Sequence, residues 1–447
     1  MDAPSSHPRR LLTAALLTAA MALFATTSTA GEPLDCTDED RHSIDLGEAW
    51  EVGLAVDPGA DAQQARVRAA TADGDHIGRL RLPTAEVDAE GDLGKRVSPG
   101  AERDQGRSLR ASAGASLQLP LYDSVFDDQA DAADLRLDGA QLDADAHRID
   151  LHETIARAYI DAAIADERQR HIDERHHQLQ ALADTVQRRI DAGVEGSVER
   201  HAIDQATARI ERQLTEATTA HEQALHTLSH LLDRCVRPRS MPSELDASPD
   251  PERPERPDSP HLQALRLQGR IADADAQVLS HTDRLQLFGV ATGRLYFSPA
   301  YDNLPEPEYF AGLTLRWRPD LRGTRQRQSQ AQRHRARALD DEASELHRQQ
   351  IQRLDAIALV DRRLQTQRQA LHREIDQAKE RRDAALARWD QGVGSWLDLI
   401  DADERLQDAQ LALLDLHHQS LLHAVESAAL TDDLTSLSTL LDQPPRD

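Results

Sequence analysis

The chain has 447 residues, about three domains' worth at ~150 residues each. Only 39% of it is hydrophobic and 3% aromatic, and 78 acidic residues against 52 basic ones leave a net charge of -26. Aromatic side chains bury the most area per residue, so three globular cores and a large enzyme built on them are disfavoured. The negative charge disfavours binding to phosphate backbones, and no nucleic-acid partner is expected.

Arg9 and Arg10 precede an apolar run from Leu11 to Ala25, and Ser28-Thr29-Ala30 fits a small-x-small cleavage pattern. Residues 1–30 therefore read as a secretory signal peptide. No later stretch approaches the ~20 apolar residues of a helical span. The exported chain is then either soluble outside the cytoplasm or inserted by β-strands. Export permits a disulfide between the two cysteines, Cys36 and Cys235, with two unrelated thiols as the alternative.

Proline is absent from Leu121 to Arg237 and from Asp320 to Gln443, and glycine is sparse there. Both residues disfavour helix interiors, so each stretch predicts one long helical hairpin. The hairpins span 124–232 and 324–430, turning at Gly193–Gly196 and Gly392–Gly394. Each outgoing arm would run on the order of 100 Å at 1.5 Å per residue. Ile172, Leu179 and Val186 repeat at seven, as do Ile357, Leu364, Leu371 and Ala378, which is the spacing of a coiled-coil seam.

Upstream of each long arm the period changes to two. Leu109, Ala111, Ala113, Ala115, Leu117 and Leu119 alternate with polar or small residues. Tyr309, Ala311, Leu313, Leu315 and Trp317 do the same, with Phe310 breaking the pattern. These segments predict strands with one apolar face, with partners around Thr84–Glu90 and Leu285–Phe297. The predicted organisation is a signal peptide (1–30), a first repeat (31–240, strands about 84–119), a Pro-rich linker (241–258), a second repeat (259–435, strands about 285–317) and a tail (436–447). The fold class is mainly α with a small β part, as two tandem repeats of a strand pair and a long coiled-coil hairpin. Four strands cannot close a barrel, so membrane insertion requires several chains to share one. Phe288, Tyr296, Phe297, Tyr301, Tyr309, Phe310 and Trp317 cluster here, as expected of interfacial aromatic girdles.

Several segments resemble the TolC-type outer-membrane efflux proteins. Ile44 to Pro58 ("IDLGEAWEVGLAVDP") is similar to the family's opening helix, and Leu80 to Pro83 to its approach to the first strand. Ser116 to Asp123 and Gly312 to Gly323 are similar to its strand-to-helix junctions, and Arg388 to Asp403 ("RWDQGVGSWLDLIDAD") to its second hairpin tip. The resemblance implies a homotrimer with a twelve-stranded outer-membrane β-barrel in lipid, continued by a periplasmic α-barrel. It implies the exit duct of a tripartite efflux pump or type I secretion system. Its partners would be a periplasmic membrane-fusion adaptor and an inner-membrane pump of the RND, ABC or MFS type. The family's equatorial region would gather Cys36 and Cys235.

Residue by residue, the resemblance assigns Gly193, Val194, Gly196, Ser197, Gly392, Val393, Gly394, Ser395 and Leu397 to adaptor-docking tips. It assigns Asp398 and Asp401 to the pore constriction, with Trp389 at an aromatic tip position. Asp398 and Asp401, three apart, share one helix face, and three copies would form two acidic rings. At the first tip Glu199 and Arg200 stand where Leu397 and Asp398 stand in the second, and Arg200 is a candidate partner for an acid of a neighbouring tip. His226 and His230 lie at i, i+4, and His176-His177 and His417-His418 are adjacent, but a zinc site needs more ligands. No nucleotide-binding or nucleophile motif occurs, so no enzyme activity, metal or cofactor is expected. A second reading, from a different class, is a periplasmic coiled-coil scaffold or adaptor that does not form a channel.

Overall fold

Asp45 accepts a hydrogen bond from the Glu48 amide and starts helix α1 (Leu46–Val56). Asp57 ends α1 and caps helix α2 (Pro58–Arg79), accepting from the Ala60 amide at 2.7 Å, with Pro58 at the first helical position. The computed structural model describes residues 36–37, 40–95, 107–192, 197–239, 259–281, 284–297 and 306–434. The signal peptide, the Pro-rich linker, the tail at 436–447 and the first-tip residues Gly193, Val194 and Gly196 lie outside these.

Strands β2 (Thr84–Lys95) and β3 (Arg107–Asp123) lead into helices α3 (Phe126–Asp191) and α4 (Ser197–Leu231). After β4 (Val236–Pro238) and helix α5 (Pro260–Ser280), strands β5 (Arg284–Phe297) and β6 (Glu306–Arg318) lead into α6 (Thr324–Asp390) and α7 (Trp396–Thr431). At 66 and 67 residues, α3 and α6 are each about 100 Å long, twice the length of the arms that return from them. The shorter helices fill the difference: α2 and α5 pack against α3, and α5 against α6. The seam residues Ile172, Leu179, Val186, Ile357, Leu364 and Ala378 are buried, and Leu371 is half-buried.

The main core sits near the middle of the molecule. Leu46, Trp50, Ile155, Ile160, Leu225, Leu228, Leu421 and Val425 pack together there, joining α1, α3, α4 and α7. Strand β1 (His42–Ile44) pairs in parallel with β4 beside it. The Tyr159 hydroxyl donates to the carbonyls of Ile44 and Arg239 at 3.3 and 3.2 Å. A Cys36–Cys235 disulfide closes the same region, with Cα atoms 5.5 Å apart. Trp50 stacks on His152 and its Nε1 donates to the His152 carbonyl at 2.9 Å.

One sheet carries the other four strands in the order β2-β3-β5-β6, every pair antiparallel. Among the described residues, both edges, β2 and β6, are unpaired. Among the described residues, no helix is long and apolar enough to cross a membrane.

Candidate functional site

Registers sort every strand residue onto one of two faces. Val87, Ala115, Gly293 and Tyr309 lie in one row across the four strands. Leu117, Ala291 and Ala311 form the next row, then Leu119, Gly289 and Leu313. A bulge between Pro120 and Tyr122 keeps Tyr122 on this face, opposite Leu287 and Leu315, and Trp317 pairs with Leu285 below. This face is apolar throughout and open to its surroundings: Tyr309 is 80% exposed, Leu313 70% and Trp317 61%. Tyr309 and Trp317 are eight residues apart, about 27 Å of strand and about 20 Å of height at the tilt of a barrel. That is close to the apolar band of an outer-membrane barrel.

The opposite face is polar. Asp88, Gly114, Arg294 and Glu308 share one row. The Arg294 guanidinium reaches over Gly114 to Asp88 at 3.0 Å, and a Cβ on Gly114 would stand 2.7 Å from the Asp88 carboxylate. Phe310, whose register opposes Thr292, lies on this polar face and folds across Gly312, where a Cβ would meet its ring at 2.8 Å. Phe288 lies here too, beneath the Arg316 guanidinium at 5.2 Å. The predicted aromatic girdle is therefore corrected: Tyr309 and Trp317 sit on the apolar face, Phe288 and Phe310 on the other. The side chains of Tyr296 and Phe297, and Tyr301 as a whole, lie outside the described residues.

At the second hairpin tip the chain reverses between α6 and α7. The amides of Val393 and Gly394 both bond to the Arg388 carbonyl, at 3.1 and 3.0 Å. Gly392 has φ +73, a left-handed conformation that glycine adopts without strain. A Cβ on Gly394 would stand 2.9 Å from the Trp389 backbone nitrogen, so the turn needs that glycine for close approach. Ser395 caps α7, accepting from the Leu397 amide at 3.1 Å. Val393 is 76% exposed at the apex and Leu397 is exposed beside it.

Trp389 points inward instead. It packs with Trp396, Val186, Ile203, Ala385 and Leu399, and the Arg189 guanidinium lies 4.9 Å from its ring centre. Asp398 and Asp401 are exposed on α7, and Asp401 pairs with Arg405 at 2.9 Å. Arg200 is exposed at the start of α4, where it lines a shallow groove with Asp184 and Asp204. Nothing is described of the Ser197 side chain.

Above the tip, an ion pair that the sequence does not reveal ties the two hairpins together. Arg175 of α3 donates to the Asp403 carboxylate at 2.6 Å and to the Asp403 carbonyl at 2.8 Å, on α7. Its side chain is 9% exposed and its Nε is buried without a hydrogen-bond partner. Burial pushes the Arg175 pKa down, against the pull of Asp403, Glu404 and Asp408. Burial likewise pushes the Asp403 carboxyl up, against the pull of Arg175. Among the described residues, no three or more His, Cys, Asp or Glu side chains are arranged to hold a metal.

Residues 54–234 match the family model described as outer membrane efflux protein. No curated protein sequence matches the chain. Among solved structures, the outer membrane protein VceC of Vibrio cholerae is 16% identical with a TM-score of 0.72, the match covering 86% of this chain and 96% of that one. The CmeC outer membrane channel of Campylobacter jejuni is 14% identical with a TM-score of 0.72, covering 92% and 95%. The open state of the MtrE outer membrane channel of Neisseria gonorrhoeae is 16% identical with a TM-score of 0.67, covering 94% and 95%. Residues 54–234 are thus similar to the outer membrane efflux proteins, and the described chain as a whole has the fold of these solved outer membrane channels.

Proposed function

We propose that three copies of this chain form the passive exit duct of a tripartite efflux pump, or of a type I secretion system, across the outer membrane. The observation that carries this reading is the four-stranded sheet, apolar on one whole face and unpaired at both edges. An unpaired edge in hydrocarbon costs several kcal/mol per unsatisfied backbone group. Joining β6 of one copy to β2 of the next removes both edges, and three copies make twelve strands. The polar face then lines the lumen, and the long hairpins continue the tube into the periplasm.

In this reading the Val393 apex and the exposed Leu397 dock a periplasmic membrane-fusion adaptor, with Gly392, Gly394 and Ser395 shaping the turn. Gly193, Val194, Gly196 and Ser197 would do the same at the first tip. Asp398 and Asp401 supply rings of carboxylates where the tips converge, favouring cations. Trp389 supports the tip from within its core, and Arg200 faces the acids of a neighbouring tip. The duct carries no catalytic residue; energy comes from an inner-membrane pump of the RND, ABC or MFS type.

Fractionation and conductance test the proposal. The chain should stay with outer membranes through a high-salt wash, and purified protein should conduct in a planar bilayer. Asp398→Asn with Asp401→Asn should lower cation selectivity. Release into the periplasmic fraction would instead support a non-channel scaffold.

A further inference from the structure

The polar face of the sheet is not uniformly charged. Among the described side chains, the end toward the β2–β3 and β5–β6 connections carries four carboxylates, Glu86, Asp88, Glu90 and Glu308, against one guanidinium, Arg294. The end toward the long helices carries three guanidiniums, Arg284, Arg316 and Arg318, against one carboxylate, Asp123. Asp123 is taken up by Arg284, at 2.6 Å, and by Gln286 at 2.7 Å. Arg316 and Arg318 are exposed, and Arg316 is held over the Phe288 ring. In a chain with an acidic excess this basic end is a local reversal of sign.

We propose that the barrel lumen is a bipolar ion pathway, with an acidic outer annulus above a basic inner annulus, that conducts unequally in the two directions. This rests on the trimeric-duct reading. From these described side chains, three copies carry nine net negative charges in the outer annulus and six net positive charges in the inner one. Glu308 and Arg316 lie eight residues apart on β6, about 27 Å of strand. The Debye length is ~10 Å at 0.1 M salt, so the annuli do not neutralise each other, yet each still reaches toward the axis. The outer annulus concentrates cations and the inner one anions. An extracellular side held positive drives cations in through the acidic annulus and anions out through the basic one. Both then accumulate at the junction and the current rises. The opposite polarity draws both away and depletes it.

The consequence for cargo is an ordered passage. An anionic solute arriving from the periplasm dwells at Arg316 and Arg318 and then meets a repelling acidic zone. A cationic or zwitterionic one passes the acidic zone readily. The annulus of Arg316 and Arg318 is thus an anion site at the inner end of the barrel, on elements distinct from the hairpin tips.

The test is current against voltage for full-length trimer inserted in one orientation in a planar bilayer, in 0.1 M and 1 M potassium chloride. At 0.1 M the current should be about 1.5-fold or more larger with the extracellular side positive. The two polarities should converge at 1 M, where the Debye length is ~3 Å. Arg316→Gln with Arg318→Gln, and separately Glu86→Gln with Glu90→Gln, should each bring the ratio toward one. Rectification produced at the tips would be indifferent to all four substitutions, and that result would overturn the proposal. A symmetric current in the unaltered protein at 0.1 M would overturn it as well while leaving the duct reading intact. Absence of any conductance would remove the duct and the annuli together.

Discussion

Replacing Asp403 by alanine should loosen the two hairpins from each other just above the tip. Arg175 keeps its charge and its bond to the backbone carbonyl at 403, loses the one to the carboxylate and must stay in a site where its side chain is 9% exposed. Breaking a buried pair at one partner costs about 3–5 kcal/mol. Glu404 and Asp408 pull on the same guanidinium, so the low end, about 3 kcal/mol, is expected. That corresponds to about two orders of magnitude in a local opening equilibrium. Hydrogen exchange of α7 amides around Asp403 reads this directly, since helix interiors exchange through such openings. The Arg175→Met, Asp403→Leu double variant should exchange close to the native rate, because it removes the pair without stranding a charge. Exchange in Asp403→Ala within threefold of native would refute the reasoning, as would a double variant as loose as the single one.

Other expectations follow from the same geometry. Leu313→Arg, at mid-strand on the apolar face that the proposed duct turns to lipid, should cost about 2–4 kcal/mol and deplete heat-resistant trimer from outer membranes, while Thr314→Arg on the opposite face is tolerated. Gly394→Ala drives a Cβ into the Trp389 backbone, so adaptor pull-down should fall while trimer yield is kept. His152 is held at a pKa of about 4 by burial, with a further push from Arg148. Its folded value lies below its ordinary 6.5, so the contribution of neutral His152 is present above pH 6.5 and is lost as pH falls toward 4. Trp50 fluorescence should report that loss, and His152→Phe should flatten it. Replacing Cys36 and Cys235 with serine removes a link across 199 residues, worth about 5 kcal/mol of chain entropy. Protease should then cut the segment before β1 before it cuts the hairpins.

The sequence exposes the strands and long helices because local periodicity alone encodes them. Residues 109–119 alternate strictly, and apart from Gly139 and Gly323 the glycines of the two proline-free stretches stand between the two arms of each hairpin. What it hides depends on pairs far apart in the chain. Arg175 reads as a surface arginine until Asp403, 228 residues later, is seen beside it. Phe310 looks like an error in an apolar alternation until the register places it on the polar face, lying over Gly312. The β1–β4 pair is too short to carry a period, and α5 carries no motif that distinguishes it from the other helices. At the tip, the glycines and the serine cap are visible as residue types, whereas the inward turn of Trp389 follows from a core shared by both hairpins.

The bond between Cys36 and Cys235 also bears on the timing of maturation. Its two sulfurs meet only after α3 has run its full length, the chain has turned, and α4 has carried it back to the middle of the molecule beside β4. When the N-terminal end emerges first during export, Cys36 waits for a partner that arrives 199 residues later. Oxidation of the pair therefore records that the first hairpin has completed its return, while β5, β6 and the second hairpin lie further along the chain. A single covalent event divides assembly into a sealed first half and a second half still to be placed.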